Sequence, residues 1–194
     1  MRNQWDMEFV EPIRDVDKIN EIKTYLRDKK QREYAIFMLS INTGIKVGAL
    51  LNLKLVNVFQ NGKIVDSLVF EDIGVEYILN ESVKDALLRY ISTRSIAETH
   101  IDDSPLFISQ KGGTPTEKAI YFSMADVFKE VGMDEGHYGL QSLPKTFGYH
   151  AILQGIDTTL LLKIFNKKQP KILYEYLGIS EDERKNTKVI MLNW

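Results

Sequence analysis

The stretch Leu143-Pro144-Lys145-Thr146-Phe147-Gly148-Tyr149-His150-Ala151 decides how this chain is read. Proline is favoured in a first helical turn, where its missing N–H would have had no partner anyway. The run therefore predicts a helix over Pro144–Leu153, with His150 packed inside it. Two further stretches flank it. Upstream lies Thr43-Gly44-Ile45-Lys46-Val47-Gly48-Ala49-Leu50-Leu51-Asn52-Leu53, where one helix ends at a glycine and a lysine stands at the mouth of the next. Downstream lies Ile164-Phe165-Asn166-Lys167-Lys168-Gln169-Pro170-Lys171-Ile172-Leu173-Tyr174-Glu175-Tyr176-Leu177-Gly178-Ile179. Here a lysine-rich turn feeds a helix that starts at Pro170 and ends before Gly178.

Hydrophobic spacing fills in the rest. Asp15 or Asp17 caps a helix running to about Lys29, with Ile19, Ile22 and Leu26 on one face. Tyr34, Phe37, Met38 and Ile41 mark one face of a second helix that Gly44 ends. Val47, Leu50 and Leu51 belong to a short third. The texture then changes: Asn61-Gly62 is a turn signal, and Ser67–Glu71 and Val75–Leu79 read as strands of one small antiparallel sheet around Gly74. Helices are expected over Glu81–Ala97, Glu117–Val131 and Thr158–Phe165. A loop from Glu98 to Thr116 holds a possible hairpin at Lys111-Gly112-Gly113, and Lys188–Trp194 could close as a strand. The fold class is α+β, mostly helical: an extended lead over residues 1–14, then one domain over 15–194.

The chain has 194 residues with 44% hydrophobic and 27% charged, enough to bury a core and unlike a disordered tail or a disulfide scaffold. There is no cysteine, so disulfides and thiolate metal sites are excluded. The opening Met1–Asp15 has no apolar segment of the signal-peptide kind, and no apolar run would span a membrane; the expected location is the cytoplasm. Net charge is −2, whereas nucleic-acid-binding domains are more often strongly basic. The charges are nevertheless segregated. Residues 61–110 carry nine acids against Lys63, Lys84, Arg89 and Arg94, while residues 137–176 carry Lys145, Lys163, Lys167, Lys168 and Lys171 against Asp157 and Glu175. No phosphate-binding glycine loop occurs, no metal-ligand spacing is present, and no cofactor is expected.

The three stretches, in this order and spacing, resemble the tyrosine recombinase (phage integrase) family from about Val10 to the C-terminus. That family carries blocks of the form T-G-L-R-I-S-E-L-L-x-L, H-x-L-R-K/H-T-F and H-S-S followed by a tyrosine. The resemblance is closest to catalytic-domain-only integrases whose second block continues as R-K-T-F-G-Y-H-A. It implies the recombinase catalytic-domain fold and a chemistry in which a tyrosine hydroxyl attacks a DNA phosphate. In that chemistry two arginines hold the non-bridging oxygens with their planar forks, a hairpin lysine protonates the leaving oxygen, and two histidine-type positions complete the cradle.

Carried over residue by residue, the cradle is largely replaced. The first arginine position is Lys46 and the acid after it is Ala49. The hairpin lysine position falls near Glu71 or Asp72. The first histidine position is Gln141, the second arginine position is Pro144, and the second histidine position is Lys167. Tyr176 alone keeps the family residue, nine positions after Lys167. His137, four residues before Gln141, could substitute for it only if the loop shifted. Removing one preorganised donor to a developing oxyanion typically costs about 10²–10³ in rate, and several are missing here.

The sequence therefore predicts a DNA-binding integrase-like protein that has lost strand cleavage, a regulator or accessory factor of a mobile element or prophage. Its expected partner is double-stranded DNA, contacted through Lys46, Lys145, Lys167, Lys168 and Lys171, with a homo-oligomer compatible and no membrane involved. Two alternatives stay open. One is a working recombinase cutting and rejoining DNA through Tyr176. The other is a protein-interaction module, which the acidic middle of the chain favours. Tyr176 also has a plain packing reading, since it shares helical spacing with Ile172, Leu173 and Leu177.

Overall fold

A computed structural model describes residues 10–94, 104–133 and 137–185. Helix α1 (Val16–Lys29) is capped by Asp15, whose carboxylate accepts from the Asp17 amide at 2.8 Å, and it buries Ile19, Ile22 and Leu26. Helix α2 (Gln31–Thr43) is the centre of the molecule. Its pattern reads as a one-faced helix, yet Tyr34 through Ile41 are buried on every side, because α1 and two later helices, α5 (Glu81–Ser92) and α7 (Ser142–Leu153), surround it. The two small polar residues inside it are satisfied locally: the Ser40 hydroxyl donates to the Ile45 carbonyl and the Thr43 hydroxyl to that of Leu39. Gly44, at φ 76°, ends α2 in a left-handed turn. A Cβ there would also lie 2.6 Å from the Phe147 ring, so this glycine both reverses the chain and admits α7.

Short helices α3 (Val47–Leu51) and α4 (Leu55–Val58) follow. Two separate two-stranded ribbons then form, where a single sheet was expected. Strands β1 (Phe59–Gln60) and β2 (Lys63–Ile64) are joined by Asn61 and Gly62, both at positive φ, the geometry that matches hairpin twist. Strands β3 (Ser67–Phe70) and β4 (Val75–Ile78) pair antiparallel, Leu68 opposite Tyr77, around a turn of Glu71-Asp72-Ile73-Gly74. Val65 and Asp66, between the ribbons, each extend one of them: the Val65 N–H donates to the Val58 carbonyl beside β1, and the Asp66 carbonyl accepts from the Leu79 N–H beside β4.

Helix α5 stops at Ser92, short of the expected Ala97, which lies outside the described residues. The Lys111-Gly112-Gly113 region forms a turn, closed by Ser109 N–H to Gly113, with no strand among the described residues on either side. Helix α6 (Glu117–Glu130) starts on a Thr116 cap. Helix α7 begins at Ser142, two residues earlier than expected, so Pro144 is its third residue; the absent N–H is still one that a helix start leaves unpaired. Helices α8 (Thr158–Ile164), α9 (Pro170–Leu177) and α10 (Glu181–Lys185) complete the described chain. Leu161, Phe165, Leu173 and Leu177 form a second apolar cluster with the far side of α7, and Ile164 touches both this cluster and the main core. The first nine residues of the expected lead and the expected 188–194 strand lie outside the described residues. Among the described residues no helix is long and apolar enough to cross a membrane.

Candidate functional site

Two chain reversals build the site. After α8 the chain passes through Asn166 in a left-handed conformation at φ 50°, and the Lys167 amide reaches back to the Leu162 carbonyl at 2.8 Å. This closes the helix end and turns the Lys167 side chain toward α9. Pro170 then opens α9, and Gly178 at φ 68° ends it, with the Ile179 amide bonded to the Tyr174 carbonyl. Leu173 and Leu177 face the core, which leaves Tyr176 half-buried at the edge of α7.

Four of the residues singled out in the sequence meet there. The Lys167 Nζ lies 4.2 Å from the centre of the Tyr176 ring and the Lys145 Nζ 4.7 Å from it. The phenol hydroxyl reaches the Gln141 amide oxygen at 3.5 Å, a long contact for a hydrogen bond. The Phe165 ring flanks Tyr176 at 5.7 Å between centres. Tyr176, which the sequence resemblance matches to the recombinase nucleophile, thus also takes part in packing.

Lys145 is placed differently from the expectation. It was read as a surface phosphate contact, but it is 7% exposed and its ammonium donates to the Val10 carbonyl at 2.7 Å. Burial, and then the neighbouring Lys167 charge, push its pKa below the ordinary lysine value. That bond occupies one of the three ammonium protons and fixes where the head group sits. Lys46, Lys168 and Lys171 are exposed, Lys46 at the start of α3. Pro144 is buried in α7, and Glu71 and Asp72 are exposed in the β3–β4 turn, which contains no base. Ala49 is half-buried on α3. His137 is exposed, and its backbone carbonyl takes the Glu11 amide at 2.9 Å. His150 is packed as expected, with Nε2 3.0 Å from the Ile13 carbonyl, and burial lowers its pKa.

One cluster escaped the sequence reading. Arg14, just before α1, donates to the Glu183 carboxylate at 2.6 Å and to the Gly178 carbonyl at 2.7 Å, and it stacks 5.0 Å from the Tyr149 ring. Tyr149 donates to the same carboxylate at 3.0 Å, as do the Ser180 amide and hydroxyl at 2.8 Å. These partners lie up to 169 positions apart, so no local pattern could announce them. Burial pushes the Glu183 carboxyl up, but the Ser180 and Tyr149 hydrogen bonds and the Arg14 charge outweigh it and leave its pKa depressed. A depressed acid contributes stability that is present above the unfolded value of about 4.3 and lost as pH falls through the folded one. Urea midpoints should therefore drop more between pH 7 and pH 3 for the native chain than for Glu183→Gln. Parallel drops would show that the carboxylate charge does not matter there. The difference should be small, because the pair is partly exposed.

The geometry suits holding a tyrosine still better than activating it. An amide oxygen is too weak a base to take a phenol proton, and Pro144 offers a phosphate nothing. Among the described residues, no group of three His, Asp or Glu side chains is placed to hold a metal.

This is the tyrosine-recombinase catalytic-domain fold. The chain superposes on the XerA recombinase with a TM-score of 0.73 at 20% identity, over 92% of this chain and 63% of that one. It superposes on the Tn1549 transposon integrase, solved with transposon right end DNA, with a TM-score of 0.67 at 17% identity over 93% and 65%. It matches XerH, solved bound to its palindromic difH substrate, at a TM-score of 0.69 and 14% identity, over 88% and 50%. The chain thus spans half to two thirds of these recombinases. In sequence it is 29% identical to the probable integrase/recombinase YoeC of Bacillus subtilis (strain 168), over 91% of this chain and 93% of that protein. No family model matches. The likeness to recombinases is thus seen both in sequence, along nearly the whole of both chains, and in the fold.

Proposed function

We propose that this recombinase-like chain binds double-stranded DNA in the cytoplasm without cutting it, as a regulator or accessory factor of a mobile element or prophage. One observation carries the reading. The tyrosine at the nucleophile position faces an amide and two lysines, one of them committed to a backbone carbonyl, with proline where the second arginine fork would stand. The DNA part is supported by two fold neighbours, the Tn1549 integrase and XerH, that were solved with DNA, and by the exposed Lys46, Lys168 and Lys171.

Binding of this kind draws its affinity from phosphate neutralisation and falls steeply with salt. Lys168→Ala or Lys171→Ala should weaken binding to all duplex sequences and flatten the log–log salt dependence by about one unit for each lost contact. The buried Lys145 should contribute no such unit. Mobility-shift titrations over a range of salt decide this. Absence of binding at low salt would remove the DNA reading and favour the protein-interaction module, for which the acidic β3–β4 turn and the exposed Val69 and Ile78 of the same ribbon provide a surface.

A further inference from the structure

The segment before α1 does more than lead into the domain. The Ile13 amide donates to the Thr146 hydroxyl at 2.8 Å, and the Ile13 carbonyl meets His150 Nε2 at 3.0 Å. The Val10 carbonyl takes the Lys145 ammonium at 2.7 Å. Residues 10–13 thus run along α7, bonded to three of its side chains within two turns, and Ile13 itself is 1% exposed. Arg14 then carries the same segment across to the end of α9 through the Gly178 carbonyl and Glu183. Both helices that contribute to the Tyr176 site, α7 with Lys145 and α9 with Tyr176, are tied to these five residues.

From this geometry we infer that residues 10–14 are a positioning strap for the Tyr176 site. By bonding α7 through Thr146 and His150, the strap sets the Val10 carbonyl where it fixes the Lys145 ammonium against the Tyr176 ring. The physical reason lies in the cation. A buried ammonium needs a hydrogen-bond acceptor and gains from an aromatic face, and here the strap supplies the first and α9 the second. Lys167 approaches the same ring and repels Lys145, and the bond to the Val10 carbonyl works against that repulsion. The strap therefore withholds one cation from solvent and leaves Lys167 as the basic group beside Tyr176 that is partly open to it. Thr146 and Arg14 are positioning residues in this arrangement.

The inference takes the Tyr176 site as the functional face proposed above, but its test contains no DNA, so failure of the DNA reading is seen separately in the mobility shifts. The full chain is labelled with ¹³C-lysine and its ε-methylene signals are recorded at constant pH. A methylene beside a ring face is displaced upfield by the ring current, and Tyr176→Ala identifies the displaced lysines. In Thr146→Val, which keeps the side-chain volume and loses the hydroxyl, the Lys145 signal should move at least halfway back to the ordinary lysine position. The Ile13 amide should exchange at least tenfold faster, and Thr146→Ser should restore both. Arg14→Ala, at an exposed position, serves as a second variant should Thr146→Val not fold; it should move Lys145 the same way by a smaller amount. An unmoved Lys145 signal in the folded variants, despite faster Ile13 exchange, would overturn the inference.

Discussion

Nicked suicide substrates incubated with this chain are expected to leave no covalent protein–DNA adduct, under conditions where an intact tyrosine recombinase traps one readily. For the tyrosine that the resemblance matches to the attacking residue to react, it must lose its proton while the phosphate's growing charge is held. The structure puts an amide oxygen 3.5 Å from that hydroxyl and buries Pro144, which the resemblance matches to the second arginine. Of the cations near the ring, Lys145 is bonded to a backbone carbonyl, and Lys167 is a point charge without a fork. Each missing donor is worth about 10²–10³ in rate; the losses do not multiply simply, but two of them already suppress useful cleavage. Tyr176→Phe should leave DNA binding nearly unchanged, since only a weakly bonded hydroxyl is removed. An adduct that survives denaturing electrophoresis and vanishes in Tyr176→Phe would restore the enzyme reading.

Gly148→Ala should destabilise the protein by about 1–3 kcal/mol, the usual cost of adding atoms to a filled core. A Cβ at Gly148 would lie 2.5 Å from the Leu177 side chain and 2.8 Å from the Phe165 ring. Both neighbours are buried, so neither can swing into solvent. The two neighbours also flank Tyr176: Leu177 follows it in α9 and the Phe165 ring lies tilted against its ring. The substitution should lower the urea midpoint with an unchanged slope and shift the Tyr176 and Lys167 signals together. A midpoint equal to that of the native chain would mean that α7 and α9 are less closely packed than the structure shows.

Much of the fold was legible because it is written in local terms. Asp15 and Pro170 start helices, Gly44 and Gly178 end them, and Asn61-Gly62 makes a hairpin; each acts through its own backbone and its nearest neighbours. The three blocks around Lys46, Lys145 and Tyr176 pointed to the recombinase fold for the same reason, since motif spacing is itself a local feature of the chain. Where local reading failed, a neighbour from far along the chain decided. Helix α2 looks one-faced in sequence but is covered all round by α1, α5 and α7.

Lys145 marks the boundary between the two kinds of knowledge. The sequence by itself determined that a lysine follows Pro144 on a helix, in a basic third of the chain, and a free lysine there reads as a phosphate contact. Only the tertiary structure decided that its ammonium is buried against the Val10 carbonyl and the Tyr176 ring. The physical reason is that a charge's solvation depends on everything that packs around it. Val10 stands 135 positions away in sequence, and no periodicity, propensity or motif encodes a contact across that separation.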